Sequence, residues 1–154
     1  MEWEVRFTDE LGAWWDGLTA DEQESVNASV ILLQKRGPNL GFPHSSGVAQ
    51  SRYSHMRELR IQHAGRPYRV LYAFDPERSA ILLTGTDKSG NDRWYDVFVP
   101  RADKLYAEYL RERAQTQEKR NDTKLQGVAA KDAARIAGQK RGKGHRNAKG
   151  HGPR

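Results

Sequence analysis

The sequence contains no cysteine. A disulfide framework, a thiolate zinc site and a cysteine nucleophile are therefore excluded. No apolar run approaches the roughly 18 residues that cross a bilayer. The start, Met-Glu-Trp-Glu-Val-Arg, is acidic where a signal peptide would be basic and then apolar. We therefore expect a soluble, cytoplasmic protein that has no membrane partner.

The part of the sequence that looks like a folded domain has no excess of positive charge. The 154 residues have a net charge of +6. Residues 1–110 hold 13 Lys and Arg against 16 Asp and Glu, a net charge of −3, whereas residues 111–154 hold 13 against 4, a net charge of +9. The basic character is thus a property of the C-terminal part. It gives no reason to expect nucleic-acid binding by the rest of the chain.

The first part of the chain follows the pattern of one strand and two helices. Glu2 to Phe7 alternates charged and apolar residues, which predicts a strand with one buried face. Apolar residues from Leu11 to Leu18 then recur at helical spacing. Thr19, with Glu22 three residues later, forms a capping-box pattern and predicts a second helix, which ends at Gly37-Pro38.

The middle of the chain predicts three antiparallel strands that follow a long loop at residues 37–55. Residues 56–61, 67–74 and 80–84 are separated by turn sequences. Helical spacing returns from Trp94 to Arg113, and we expect Pro100 to break or begin that helix. The order β-α-α-β-β-β-α predicts an α+β domain over residues 1–113, with its helices on one face of a small antiparallel sheet.

Residues 114–154 are predicted to be a basic tail. Residues 138–154 are rich in Gly, Lys, Arg and His and have no bulky hydrophobic residue. They cannot bury enough apolar surface to offset the entropy of the chain, so we expect disorder. Their charge would favour contact with rRNA through counterion release. A solvated extension without function is an equally good interpretation.

The predicted strands concentrate cations near a single acid, Glu58. Because side chains alternate along a strand, Glu58 and Arg60 should point away from the face that holds Leu59, and Arg69 away from Val70. If the helices cover the Leu59 face, the opposite face is open and positive, and guanidinium forks there suit phosphate groups. The alternative is a set of solvated strand arginines paired with nearby acids. The cations concerned are Arg52, Arg57, Arg60, Arg66 and Arg69.

A second polar cluster follows the last predicted strand. It comprises Asp87-Lys88 and the run from Asn91 to Tyr95. Loops at strand ends often carry binding and catalytic residues. The alternative is a surface loop that leads into a helix, with Asp92 as the cap and Tyr95 as a packing aromatic.

Together the two clusters resemble the RelE/HigB-type toxins of bacterial type II toxin–antitoxin systems, in particular the phage-type HigB-like branch. The resemblance covers the chain from Trp3 to Glu112. It implies a RelE-like fold and a ribosome-dependent endoribonuclease, or mRNA interferase, that cuts mRNA in the decoding site. It is carried by Met56-Arg57-Glu58-Leu59-Arg60, Gly65-Arg66-Pro67-Tyr68-Arg69-Val70-Leu71-Tyr72, Ile81-Leu82-Leu83, Lys88 and Asp92-Arg93-Trp94-Tyr95.

The resemblance also implies a reaction that uses no metal and no cofactor. The 2′-OH attacks the adjacent phosphate and leaves a 2′,3′-cyclic phosphate and a free 5′-OH. Such a reaction needs a base for the 2′-OH, cations for the phosphorane charge and an acid for the leaving oxygen. The implied partners are mRNA on the ribosome and a small helix-turn-helix antitoxin.

Site roles follow by position in the motifs. Arg69 matches the conserved strand arginine of the family and would bind the scissile phosphate, and Arg60 would stabilise charge. Lys88 matches a basic residue after the last strand, and Tyr95 matches an aromatic that orients or stacks on mRNA.

Further RNA contacts are predicted at Arg57, Arg66 and Arg93. The general base is left open between Glu58, His63 and a neighbouring residue with a lowered pKa, and an exposed turn histidine is the simpler interpretation of His63. The second interpretation of the whole chain is a catalytically inactive RNA- or ribosome-binding module with the same fold.

Overall fold

A computed structural model describes residues 2–126 and 145–147. These residues form an α+β domain, as the sequence predicts. In chain order the elements are β1 (Glu4–Thr8), α1 (Asp9–Asp16), α2 (Ala20–Arg36), a 3-10 turn (Gly37–Asn39), β2 (Ser45–Gly47), β3 (Arg57–His63), β4 (Arg66–Phe74), β5 (Ser79–Asp87), α3 (Trp94–Gln126) and β6 (His145–Asn147).

The strands form one sheet in the order β2-β3-β4-β5-β1-β6. Strands β3, β4 and β5 make the predicted antiparallel meander, whereas β1 pairs with β5 in parallel. Strand β5 therefore lies inside the sheet. Its apolar run is buried on both faces, which is the environment that such a run favours.

The second helix begins and ends where the sequence predicts, whereas the first ends at Asp16 and leaves Leu18 outside it. The hydroxyl of Thr8 accepts a hydrogen bond from the backbone of Leu11 and caps α1. At the start of α2, Thr19 and Glu22 make both bonds of the capping box. Helix α2 stops at Gly37, whose φ of 55° favours glycine.

The helices lie on both faces of the sheet, so the prediction that they share one face was wrong. Helices α1 and α2 pack on the Leu59 face, which also holds Val70 and Tyr72. Helix α3 packs on the opposite face, which we call the Glu58 face, through Trp94 and Val99. Strand β5 has apolar residues on both of its faces. Each face of the sheet must therefore be buried by a helix packed against it.

Helix α3 also differs from its prediction. Pro100 lies inside the helix, which the sequence did not lead us to expect. Both Pro100 and Asp96, four residues earlier, are exposed. The carbonyl of Asp96, which loses its intrahelical partner, can therefore bond to water. The helix continues to Gln126, beyond the predicted end at Arg113, because its later residues are mostly good helix formers.

Two short strands lie in segments that were predicted to have no regular structure. Strand β2 lies inside the long loop and pairs with β3. Strand β6, residues 145–147 of the predicted tail, pairs with β1. Residues 127–144 and 148–154 of that tail lie outside the described residues, and the domain boundary at residue 113 stays a prediction. No helix within the described ranges is long and apolar enough to cross a membrane.

Candidate active site

The register of the sheet places the predicted catalytic arginines together. Arg60 on β3 is the partner of Arg69 on β4, and Arg69 is in turn the partner of Thr86 on β5. Cross-strand partners share one face, so these residues lie with Glu58 on the side away from Leu59. The orientations predicted for Glu58, Arg60 and Arg69 are therefore confirmed.

The Glu58 face is not open, contrary to the prediction. Helix α3 starts above it, fixed by a hydrogen bond of 2.7 Å from Nε1 of Trp94 to Oγ1 of Thr86. As a result Glu58 and Arg69 are buried, with exposed fractions of 4% and 7%. Arg60 is half-buried. The sequence did not predict that α3 covers the Glu58 face, because the apolar residues that make this contact lie in α3, far along the chain.

The carboxylate of Glu58 joins the side chains around it. Oε1 accepts a hydrogen bond of 2.7 Å from the hydroxyl of Tyr95. Oε2 accepts bonds from Oγ of Ser46 at 2.7 Å and from Nη1 of Arg60 at 3.2 Å. The carboxylate thus holds groups from β2, β3 and α3 in one place. A buried carboxylate needs such partners, since an isolated charge is costly to bury.

Arg69 has unused binding capacity. Its Nη1 donates to the carbonyl of Tyr68 at 3.0 Å. Its Nε lies 3.8 Å from Oε1 of Glu58, too far for a hydrogen bond. This buried Nε has no hydrogen-bond partner in the described part of the chain. A buried cationic donor in that state is unfavourable, and an anion that reached it would remove the penalty.

Tyr95 and Lys88 are half-buried and lie next to each other. Burial, followed by the hydrogen bond to Glu58, raises the pKa of Tyr95, so the phenol keeps its proton at neutral pH. The ammonium of Lys88 lies 5.5 Å from the centre of the Tyr95 ring. Both residues line an open cavity of about 520 Å³, together with Pro67, Ser89, Gly90, Asn91 and Asp92.

The structure does not bring the other predicted site residues to this place. Arg57 lies on the Leu59 face and donates to Oγ of Ser45. His63 is also on that face, where its Nδ1 lies 2.8 Å from Oγ of Ser25. Arg66 pairs with Asp87 at 3.1 Å and contacts the ring of Tyr68. Arg93 is 80% exposed and pairs with Asp96 within α3.

Two residues of the surroundings were missed by the sequence. Ser46 lies in a three-residue strand within a loop rich in Gly, Pro and Ser, where no periodicity could mark it. Phe42 lies in the same loop, and its ring centre is 5.1 Å from Cζ of Arg60. The one sequence feature that could have pointed to Phe42 is the presence of an isolated aromatic residue in a polar loop.

The candidate site therefore consists of Glu58, Arg60, Arg69, Lys88 and Tyr95. It contains three cations and one carboxylate, in a domain whose own net charge is slightly negative. Guanidinium groups bind phosphate oxygens through paired hydrogen bonds and stabilise charge that develops on them. The arrangement suits a phosphodiester, which would meet donors on β3, on β4 and in the loop after β5.

Comparison with known proteins identifies the family of this chain. Residues 13–107 match the family described as "Phage derived protein Gp49-like (DUF891)". A Mycobacterium tuberculosis protein named "Putative toxin HigB2" is 40% identical over 116 residues, which cover 74% of this chain and 58% of that protein. A second, "Putative toxin HigB3" of the same organism, is 45% identical over 98 residues, which cover 63% of this chain and 84% of that protein. The chain belongs to the phage-derived Gp49-like family, and the HigB-like resemblance read from its motifs is confirmed.

Proposed function

We propose that this chain is the toxin of a type II toxin–antitoxin system and acts as a ribosome-dependent mRNA endoribonuclease. The observation that carries the proposal is the buried Nε of Arg69, which has no hydrogen-bond partner in the described chain and lies beside Glu58 and Tyr95. A cationic donor held in this way is preorganised for a phosphate oxygen. The toxin names of the two relatives support the same conclusion.

In the proposed reaction, Arg69 binds the scissile phosphate and Arg60 stabilises the charge of the phosphorane. The 2′-oxygen forms a bond to phosphorus and the 5′-oxygen leaves, which gives a 2′,3′-cyclic phosphate and a free 5′-OH. We assign the base to Glu58 because it shares the face of Arg69, whereas His63 lies on the other face. Lys88 is the proton donor that we assign to the leaving oxygen, and Tyr95 orients the mRNA.

The proposed partners are mRNA on the ribosome and a small helix-turn-helix antitoxin. An active nuclease of this kind requires neutralisation, and a neighbouring gene for a helix-turn-helix protein is the expected source. Promoter binding would then belong mainly to that protein. The basic residues of the C-terminal part are proposed to contact rRNA, with an affinity that falls as salt rises.

The proposal is tested by induced expression, with mapping of the 5′ ends of cellular mRNA. We expect the wild-type chain to stop growth and to create new 5′ ends within coding regions, and co-expression of the helix-turn-helix neighbour to suppress both. Arg69→Ala and Arg69→Lys should lose cleavage, since neither keeps the guanidinium fork. Removal of a buried ion-pair partner can destabilise a protein by about 3–5 kcal/mol, so thermal unfolding of both variants is measured alongside.

The matched control is Arg36→Ala, because Arg36 is an exposed arginine at the end of α2. It should leave growth inhibition and cleavage unchanged. Full toxicity of a folded Arg69→Lys variant, at expression equal to that of the wild type, would reject the active-site assignment.

A second candidate function is a catalytically inactive RNA- or ribosome-binding module with the same fold. It is favoured by the bonding of Glu58, whose two oxygens already accept from Tyr95, Ser46 and Arg60. A carboxylate so occupied is less available as a base. Ribosome binding without new mRNA 5′ ends, and without growth inhibition, would favour this second function.

A further inference from the structure

Phe42 is the most exposed large apolar side chain among the described residues, with an exposed fraction of 75%. It lies in the loop between the 3-10 turn and β2. A phenyl ring left in water forgoes the stabilisation that burial would give. The ring is also adjacent to the candidate site, so its exposure calls for a functional explanation.

The loop that carries Phe42 is fastened at both ends. The backbone N–H groups of His44 and Ser45 donate to the carbonyl of Gly41 at 3.0 and 3.1 Å. The N–H of Arg60 donates to the carbonyl of His44 at 2.9 Å, which ties the loop to β3. Just before the loop, Leu40 is buried in the core. The backbone that carries the ring is therefore held in place before any ligand arrives, which reduces the entropy lost on binding.

One face of the ring is occupied by Arg60. The guanidinium carbon lies 5.1 Å from the ring centre, a cation–π distance. The same guanidinium pairs with Glu58 at 3.2 Å, so Phe42 is in direct contact with the candidate site. A side chain that is three-quarters exposed while one ring face is covered presents its other face to solvent.

We propose that Phe42 is a base-stacking residue for single-stranded RNA. Its open face stacks on one nucleobase, while Arg60 binds a phosphate of the same strand. This inference rests on the proposed function in taking RNA as the ligand, but it requires only binding and no cleavage. Unpaired bases are commonly bound by aromatic rings next to cations, and a phosphate keeps the charge of Arg60 compensated. An apolar protein surface would instead desolvate that charge.

The test measures binding to an RNA that cannot be cleaved. The probe is a single-stranded 2′-O-methyl oligonucleotide of about 10 nucleotides, in which the 2′-oxygen cannot attack. We expect Phe42→Ala to weaken binding about 5- to 100-fold, Phe42→Leu to weaken it similarly, and Phe42→Trp to retain it. Ile31→Ala, at an exposed apolar residue on α2, is the matched control and should bind as the wild type does.

A second series locates the stacked base. Each base of the oligonucleotide is replaced in turn by an abasic site, and wild type and Phe42→Ala are compared on each probe. At one position the loss caused by Phe42→Ala should disappear, because the base that stacks on the ring is already missing. Cleavage of ribosome-bound mRNA by the wild type is measured separately. A wild type that binds through Phe42 but does not cleave would reject the nuclease and leave this inference standing.

Four results would each overturn the inference. They are wild-type affinity in Phe42→Ala, wild-type affinity in Phe42→Leu, an equal loss on every abasic probe, and absence of RNA binding by the wild type. If Phe42→Ala binds RNA normally but loses the helix-turn-helix partner, the ring is a protein contact and stacking is rejected.

Discussion

At the scale of single residues, Glu58 is the side chain on which the candidate site depends. It lies among two guanidinium groups, one phenol and one hydroxyl, supplied by four different elements. A change at any of these elements therefore moves groups that are distant in sequence. The negative charge of Glu58 lies close to Arg60 and Arg69, so it would weaken the attraction of these arginines for the phosphate of the proposed substrate.

Alternation along β3 and β4 predicted which residues share a face, and for Glu58, Arg60 and Arg69 that prediction was confirmed. The partners of Glu58 were not predictable in the same way. Tyr95 reaches the carboxylate only because Trp94 is buried and bonded to Thr86, a tertiary contact with no sequence period. Arg57 shows the opposite case, a cation close to the site in sequence but directed to the other face.

The pair of Tyr68 and Glu22 gives a prediction about pH. The phenol of Tyr68 donates to the carboxylate of Glu22. This bond is the largest cause that lowers the pKa of Glu22. Burial, and then Glu22, raise the pKa of Tyr68 to about 12. The lowered pKa of Glu22 gives stability that is present above the ordinary carboxyl pKa and lost as pH falls through the folded value. The raised pKa of Tyr68 gives stability that is present below about pH 10 and lost towards pH 12.

We expect Tyr68→Phe to remove both dependences. Its free energy of unfolding, measured by urea denaturation, should be lower than that of the wild type near pH 7. The difference should shrink below about pH 4 and above about pH 10. Tyr53→Phe, at a half-buried tyrosine, is the control. A wild-type minus Tyr68→Phe difference that stays constant across the pH range would contradict the expectation.

At the scale of elements, the site is made by the close approach of β4 and β5. Gly85 on β5 is the partner of Val70, directly beside Arg69. A Cβ at Gly85 would lie 2.8 Å from a methyl of Val70 and 2.9 Å from the carbonyl oxygen of Arg69. Backbone cannot move aside as a side-chain tip can. A larger residue here would displace β4 from β5 and would move Arg69 relative to Thr86.

Gly85→Ala should therefore destabilise the domain by about 1–3 kcal/mol and weaken RNA cleavage or binding even where the protein remains folded. The control is Gly17→Ala at the end of α1, where the nearest atom would be 3.6 Å from the new Cβ and φ is −85°. Unfolding in urea and activity at a temperature well below the midpoint separate the two effects. Equal stability of both variants would show that the strands accept the methyl group.

The elements themselves were largely readable from the sequence, and their packing less so. Caps at Thr8 and Thr19 and the turn at Asp75 mark boundaries through local hydrogen bonds, which depend on neighbouring residues alone. The face on which α3 packs depends on β5, since the apolar run of β5 exposes hydrophobic side chains on both faces of the sheet and each face must be buried. The sequence showed that run, but we interpreted it only as a central strand. Strand β2 is three residues long, too short for a period to be recognised.

At the scale of the whole molecule, charge is divided between two parts of the chain. Residues 127–154, after the end of α3, carry 8 Lys and Arg and 1 Asp, a net charge of +7. A cationic segment of this size releases counterions from RNA, and its contribution to binding falls steeply as salt rises. Under the proposed function, the slightly acidic domain would supply the phosphate contacts of the site, whereas the basic part would make contacts that do not depend on RNA sequence.

Deletion of residues 127–154 should reduce co-sedimentation with ribosomes at about 50 mM salt. At about 200 mM salt the wild type and the deletion variant should differ little, because salt weakens the contribution of the basic segment. The deletion also removes β6 from the edge of β1. A second variant therefore keeps the full length and replaces Lys and Arg with Gln outside residues 145–147. If it sediments as the wild type does at low salt, the charge of this segment has no part in ribosome binding.

The parallel pairing of β1 with β5 has a consequence for how the molecule is made. Glu4 is the partner of Ser79, so β1 cannot pair with β5 until the chain has been synthesised beyond Ser79. Such long-range pairing slows folding, and domains generally fold as units. The Glu58 carboxylate likewise lacks its Tyr95 donor until α3 has begun to emerge. A nascent chain therefore cannot assemble the candidate site until the start of α3 has been synthesised, and a product truncated before Trp94 lacks the Tyr95 donor.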